Sequence, residues 1–243
     1  MKKTLLLALA LVLVGTCAMA QGKGKKGNKN APQVITISSD PQQSGDRADA
    51  EEKGEPIFLT PAEVGLDFPM RMALDKRQTT RNLSEEDIPL DLLSSLLWSA
   101  YGFNRLDEMK RVVPSAVNVQ EFDIYLFTRE GIYLYNAAKN VLEPVKTGDH
   151  RTKISEQKHF AVAPVSIVIV ANYDRMKVFK DEQTRDFYAA VDAGYVSQDI
   201  YLFCAGNELG TVACGGIQHK LLAELLGITN GKALLAHPVG RIK

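Results

Sequence analysis

Cysteine is scarce in this chain, with three among 243 residues, and Cys17 falls in the apolar run at the start. Only Cys204 and Cys214 lie beyond it, enough for one bridge but not for a disulfide scaffold. An excess of one charge is missing too. The 29 Lys and Arg are matched by 29 Asp and Glu, so the electrostatic footprint of a nucleic-acid binder is absent. His150, His159, His219 and His237 are scattered without metal-ligand spacing, and no metal site is expected. After the first twenty residues no apolar run is long enough to span a bilayer, so stable membrane insertion is not expected either.

What is present begins with an export signal. Lys2 and Lys3 precede an apolar run from Leu5 to Val14, and small residues follow at Ala18 and Ala20. This is the pattern of a secretory signal peptide over residues 1–20, cleaved after Ala20. Thr16 is bulkier than the residue that usually precedes a lipidated cysteine, which argues against lipidation at Cys17. The protein is therefore expected to be exported, either periplasmic or secreted. Without Lys2 and Lys3, 27 basic side chains face 29 acidic ones, a net charge near −2. Residues 21–56 are polar, and so little apolar surface cannot offset the entropy of ordering them. A disordered leader is expected there, with Lys23, Lys25, Lys26 and Lys29 in a solvated spacer rather than a docking patch. The remaining domain, 57–243, is large enough for a substantial core.

Helix-type and strand-type patterns alternate along that domain. Leu90, Leu92, Leu93, Leu96, Leu97 and Ala100 recur at helical spacing after Pro89 and stop at Gly102. Phe122–Phe127 and Ile132–Tyr135 flank a turn at Arg129-Glu130-Gly131 and are expected to pair as strands. Val165–Val170 is a continuous β-branched run, predicted to be a strand buried on both faces. A long, largely buried helix is expected from Glu182 to Leu209, closed by Gly210 in a left-handed conformation. A strand at Thr211–Cys214, a helix from Gln218 to Leu226 ended by Gly227, and a strand at Ala233–Ala236 complete an α+β domain with helices on a central mixed β-sheet.

Three segments carry side chains suited to a phosphorylated, polarisable ligand. In an extended stretch Arg77, Thr79 and Arg81 project to one side, within about 13 Å, and Gln78 and Thr80 to the other. A guanidinium grips phosphate bidentately, and a second cation can stabilise an anionic ring. A solvated basic turn accounts for the same residues. Pro114-Ser115-Ala116 leads into Asn118 and Gln120, uncharged hydrogen-bonding groups suited to hydroxyls and ring edges, although a plain loop into the next strand would look alike. Ala213-Cys214-Gly215-Gly216 brings a strand end to two residues whose missing side chains let backbone N–H groups approach a ligand. A tight strand-to-helix turn is the other reading, and the segment lacks the G-x-G-x-x-G spacing of dinucleotide folds. Cys214 with His219 or His237 has no spacing that implies a thiol and its base. Trp98 and the tyrosines of the long helix are expected in the core rather than against a cofactor.

Together these motifs resemble the FMN-dependent nitroreductase family, in particular the branch of azoline-oxidising (SagB-type) dehydrogenases. The resemblance runs from about Met72 to Arg241. It rests on Arg77, Thr79 and Arg81; on Leu96-Leu97-Trp98; on Pro114-Ser115-Ala116; on Asp192–Asp199; on Leu209-Gly210-Thr211; and on Pro238-Val239-Gly240-Arg241. It implies a nitroreductase-like fold with FMN at the interface of a homodimer. Arg77 and Arg241 would hold the phosphate, Gln78 and Thr79 the phosphate and ribityl end, and Arg81 the pyrimidine edge. Pro114, Ser115, Ala116, Asn118 and Gln120 would arrive from the neighbouring subunit. Ala213, Cys214, Gly215 and Gly216 would lie along the ring, with the Gly215 N–H toward flavin N5.

The chain departs from the pattern in having Thr79 for the usual serine, and Gln78 where a basic residue is common. No Lys-Tyr pair follows the Pro114 loop, so the azoline-oxidising activity is not carried over. The expected function is FMN-dependent oxidoreduction by ping-pong transfer to an electron-poor small molecule, a nitroaromatic or quinone. The flavin carries the chemistry, and NAD(P)H or a redox protein serves as electron donor. A flavin-binding module without turnover, a dehydrogenase oxidising a small molecule or peptide, and a degenerate interaction fold are the alternatives.

Overall fold

The computed structural model describes residues 54–243, which form one compact unit. The expected signal peptide and all but the last three residues of the expected leader lie outside the described residues. Among those described, no helix is long and apolar enough to cross a membrane.

Nine strands and five α-helices build the unit. Strands β1 (Ile57–Phe58), β4 (Phe122–Phe127), β5 (Gly131–Asn136), β6 (Val141–Thr147), β7 (Val165–Asn172), β8 (Leu209–Thr211) and β9 (Gly231–Arg241) form one sheet in the order β1-β6-β5-β4-β7-β9-β8. A separate hairpin joins β2 (Phe103–Arg105) to β3 (Lys110–Arg111). The helices are α1 (Met70–Lys76), α2 (Leu90–Tyr101), α3 (His159–Val162), α4 (Glu182–Gly206) and α5 (His219–Leu226).

The sheet is the spine of the molecule. Its interior strands alternate between two apolar faces. Ile124 and Leu126 of β4 and Ile167 and Ile169 of β7 join the core beneath α2 and α4. Tyr125, Phe127, Val168 and Val170 point the other way, toward Phe160 of α3 and Leu222 and Leu226 of α5. This period of two is why β7 reads as unbroken β-branched sequence: both of its faces are covered. Each fully buried Leu, Ile or Phe contributes about 1.5–3 kcal/mol relative to exposure, so two cores back to back stabilise the frame that carries the site.

The α+β architecture with helices on a central sheet is the expected one. The strand directions differ from the mixed sheet anticipated, because every ladder in this sheet is antiparallel. Tight turns link β4 to β5 and β5 to β6, and such hairpins allow no other direction. At the first turn the Thr128 hydroxyl accepts from the Glu130 and Gly131 amides, at 3.1 and 3.2 Å.

The long helix α4 starts where Asp181 accepts the Thr184 amide at 2.7 Å, an N-cap of the usual type. It ends at Gly206 with Asn207 as cap, earlier than expected. It buries only one stripe, including Ala189, Ala193, Val196, Ile200 and Phe203, whereas Phe187 is 62%, Val191 40% and Tyr195 46% exposed. These three recur every four residues and so share the opposite face, which makes the helix less buried than the largely buried one expected.

Gly210 likewise plays a different part from the left-handed cap anticipated: it lies within β8, and Glu208 takes the positive φ of 57°. A Cβ on Gly210 would lie 2.7 Å from Leu83 Cδ2 and 2.8 Å from Thr80 Cγ2. Glycine is needed for close approach. Gly227 does cap α5 in the left-handed region, at φ 65°. Gly210→Ala should therefore destabilise the fold by about 1–3 kcal/mol through overpacking. Gly210→Asn, which tolerates a left-handed backbone, should be worse than alanine in urea denaturation; rescue by asparagine would show that conformation, not space, selects the glycine.

Candidate functional site

Tyr201 of α4 ties the first and third of the predicted segments together. Its hydroxyl accepts the Ala213 amide at 2.9 Å and lies 3.1 Å from Thr79 Oγ1. The Arg77 guanidinium stands 5.3 Å from the centroid of its ring, within cation–π range. The backbone adds a second tie, since the Thr80 amide donates to the Thr211 carbonyl at 2.9 Å. Then Leu83 bridges to Ile242, and the Ser84 amide donates to the Arg241 carbonyl at 2.8 Å. Residues 77–82 are thus pinned along β8 and the end of β9 without being a strand themselves.

Consequently Arg77 and Arg241, far apart in sequence, line one cavity of about 570 Å³ together with Gln78, Thr80, Tyr201 and Thr211. The strict alternation expected of residues 77–81 fails, because Arg77 is the C-cap of α1 and Gln78 and Thr80 face the same cavity as Arg77. Lys76, Arg77 and Arg241 outnumber Asp75 and Glu208 in the lining, so the cavity carries net positive charge. Arg241 Nε also donates to Glu86 at 3.0 Å, an exposed pair that an anion would have to share.

Beyond Ala213 the chain forms a bridge between Cys214 and Ala236 and then reaches two exposed glycines. A Cβ on Gly215 would meet only Leu235 Cδ2 at 3.9 Å, and one on Gly216 only Gln157 Nε2 at 3.7 Å. The space beside both is open. Neither amide donates to an acceptor among the described residues. Arg81 is exposed, and its positive charge acts on both Cys214 and His159, which places it near them. One chain therefore presents unengaged backbone donors and a cation near one another at this end.

Cys214 and Cys204 are both buried free thiols. The histidine beside Cys214 is His159, with Nε2 3.5 Å from the sulfur, and not either of the two considered from sequence. His219 meets the Ala233 carbonyl at 3.0 Å, and His237 is buried between Thr211 and Ser197. Burial raises the Cys214 pKa, with Arg81 only partly offsetting it, while burial and then Arg81 lower that of His159. Both groups are held neutral, which is unlike a thiolate–imidazolium nucleophile.

The second predicted segment lies elsewhere on the chain. Pro114, Ser115, Ala116, Asn118 and Gln120 do not line the arginine cavity. Ser115 Oγ accepts the Gln120 amide at 3.0 Å, and Gln120 Nε2 donates to the Met109 carbonyl at 2.7 Å. Val117, Asn118 and Gln120 take positive φ values of 44°, 57° and 49°, and Val117 is 73% exposed at the tip. Backbone strain of this kind persists only where surrounding contacts enforce it.

Those contacts include a residue that the sequence reading passed over. Glu121 is fully buried beneath the loop beside the Asp192 carboxyl, and without a proton on one of the two its oxygens have no donor among the described residues. Nearby Asp192 accepts the Ala116 amide at 2.8 Å. Burial first, then the neighbouring Asp192 carboxyl, pushes the Glu121 pKa up to about 7, and burial raises Asp192 as well. Glu121 shares strand parity with Asp123, Tyr125 and Phe127, and nothing in that pattern marks it as buried. Tyr201 was missed for a related reason: an aromatic on a long helix looks like core.

Between its ordinary value of 4.5 and about 7, Glu121 holds a proton in the folded chain that it loses when unfolded. Its cost to stability is therefore absent at low pH and grows as pH rises through that window. We expect Glu121→Gln to remove most of the fall in melting temperature between pH 5 and 8, and to be more stable than the parent at pH 8 by about 1–2 kcal/mol. Identical pH profiles would show that the carboxyl pair is not the source.

With this geometry in view, comparisons with known proteins are specific. Residues 74–241 match the Nitroreductase family. A Methanocaldococcus jannaschii protein named as a candidate nitroreductase is 32% identical over 180 residues, covering 69% of this chain and 88% of that protein. The crystal structure of a candidate nitroreductase from Ralstonia eutropha superposes with a TM-score of 0.73 at 28% identity, covering 81% of this chain and 96% of that one. The NADPH:FMN oxidoreductase of Vibrio harveyi, solved with NAD+, shares the fold with a TM-score of 0.54 at 17% identity, over 72% of this chain and 69% of that one. The chain belongs to the nitroreductase family of oxidoreductases.

Proposed function

We propose that this protein is an exported, homodimeric, FMN-dependent oxidoreductase, in the branch that resembles the azoline-oxidising dehydrogenases. The observation that carries the reading is the joining of Arg77 and Arg241 at one cationic cavity, with the open Gly215-Gly216 amides and Arg81 reached through Tyr201. These features suit a ligand with a dianion at one end and a hydrogen-bonding ring at the other. Arg77, Gln78 and Arg241 would hold the phosphate, Thr79 the ribityl chain, and Arg81 and the Gly215 N–H the ring edge beside Ala213, Cys214 and Gly216. FMN bound there would supply the redox chemistry, accepting electrons from NAD(P)H or a redox protein and passing them in a separate half-reaction to a nitroaromatic or quinone.

The protein's own part is electrostatic. Arg77 and Arg241 would offset the phosphate charge, and Arg81 with the backbone donors would favour negative charge on a bound ring. No side chain at the site titrates as an activated nucleophile, consistent with chemistry carried by the cofactor. Support for a dimer comes from the incompleteness of the single chain. Ser115, Asn118 and Gln120 do not line the arginine cavity, and Phe187, Val191 and Tyr195 leave an apolar stripe uncovered on α4. A second copy would cover that stripe and bring its loop to the first chain's site. The apolar signal run and the polar leader support export.

The purified protein should be yellow with FMN, dimeric by light scattering, and bleached by NAD(P)H or dithionite. Arg77→Ala and Arg241→Ala should each weaken FMN binding by about tenfold to a hundredfold, as expected for a charge-assisted contact worth roughly 1.5–3 kcal/mol. Val191→Asp should give monomers that lose FMN. A colourless protein without affinity for added FMN would overturn the reading, whereas bound FMN with no acceptor reduced under any donor would leave a flavin-binding module.

A further inference from the structure

A second cavity, of about 450 Å³, is bordered by Asn118 and Gln120 and lined by Tyr101, Phe103, Arg111, Tyr135 and Arg175 among others. Arg111 dominates it. Its guanidinium lies 3.8 Å from the centroid of the Tyr101 ring and 4.3 Å from that of Phe103. Nη1 donates to the Tyr101 carbonyl at 2.6 Å, and Nε is buried with no partner. Burial lowers the pKa of Arg111, yet no carboxylate forms an ion pair with it among the described residues. The neighbouring Arg175 is already engaged, donating to Asp123 at 2.6 Å and to the carbonyls of Phe122 and Glu121. The lining therefore holds two guanidinium groups and one carboxylate, and the cation without an anion is the one stacked on aromatic rings.

A second observation points to a ligand at the same place. Met109, Asn118 and Gln120 stand on the rim of this cavity, and all three have positive φ, at 52°, 57° and 49°. Clustered strain in non-glycine residues is characteristic of ligand clamps and binding loops. Tyr135 and Phe103 supply flat apolar walls, and Arg111, whose Nη1 is taken by the Tyr101 carbonyl and whose Nε is buried, keeps Nη2 for a carboxylate.

We infer that this cavity is a second small-molecule site, selective for a planar aromatic carboxylate whose carboxylate pairs with Arg111 while its ring packs among Phe103 and Tyr135. The cavity shares no lining residue with the arginine cleft of the same chain, but Asn118 and Gln120 on its rim are also the residues proposed to reach the partner copy's flavin, so binding is measured with and without FMN. The test is a calorimetric titration of the purified protein with benzoate, its neutral analogue benzamide, and inorganic phosphate, each with and without added FMN. Saturable benzoate binding is expected in both conditions, with benzamide and phosphate at least tenfold weaker. Arg111→Met should lower benzoate affinity at least tenfold.

Because Arg111 also holds the Tyr101 carbonyl, a second variant guards against simple misfolding. Ala138→Glu, at an exposed position on the cavity lining, places a competing carboxylate near Arg111 and should weaken benzoate at least tenfold without changing the melting temperature. Absence of saturable benzoate binding, equal affinity for benzamide or phosphate, or undiminished binding in Ala138→Glu would overturn the proposal. A protein that binds benzoate but no FMN would sustain this site while defeating the flavin reading.

Discussion

The attachment of residues 77–83 to β8 and to the end of β9 is the constraint on which the site depends. Those residues form no helix or strand, so their position follows from three kinds of contact: the Thr80 amide on the Thr211 carbonyl, the Thr79 and Ala213 contacts of the Tyr201 hydroxyl, and the bridge from Leu83 to Ile242. Each is worth only about 0.5–1.5 kcal/mol net, but they act on one short segment and share the rigid sheet as their base. Gly210 lets the segment lie close, since any Cβ there would strike Thr80 or Leu83. The same arrangement sets Arg77 and Arg241 on one cavity and Arg81 toward Cys214. Cation placement thus follows from backbone register rather than from mutual attraction of like charges, which would separate them.

Two features of the chain are left open on its surface. Its loop from Pro114 to Gln120 is strained at three positions, is anchored from below by the Asp192 carboxylate, and carries an exposed valine at its tip. Keeping Glu121 and Asp192 buried side by side is costly unless a proton is retained, so the support of the loop is coupled to pH. An exposed apolar face on α4 runs from Phe187 to Tyr195. Isolated surface hydrophobes need no explanation, but three at successive helical turns make a stripe that water does not favour. Strain in the loop and exposure on the helix are both understandable if a further surface completes them.

Much of the scaffold was legible because periodicity reports burial. The two-sided run Val165–Val170, the hairpin at Phe122–Tyr135, the helix after Pro89 and the left-handed Gly227 all carry local signals, and each stands where those signals put it. Long-range pairing was less visible. An antiparallel and a mixed sheet differ in how distant strands are oriented, which no local pattern encodes. Gly210 and Gly102 illustrate another limit. Glycine signals either a left-handed backbone or a close neighbour, and here Thr80, Leu83 and the Trp98 ring make it the second. At the site, charged and glycine-rich motifs could be found by type, whereas Tyr201 and Glu121 matter only through partners 122 and 71 residues away in sequence.

The electrostatics of the arginine cleft and of the groups behind it also divide in a consistent way. Arginine supplies permanent charge that no accessible pH removes, so affinity for an anion there does not depend on titration. Burial holds His237 down to about 3, lowers His159 and raises Cys214, while Asp199, which burial pushes up to about 6, does not line the cleft. Glu121, pushed up to about 7, lies under the loop and not at the cleft. A site that needed to pass protons from its own side chains would require at least one group poised near the working pH. This one instead combines fixed cations with backbone donors, a surrounding that favours negative charge on a bound ligand and offers no group of its own to move a proton.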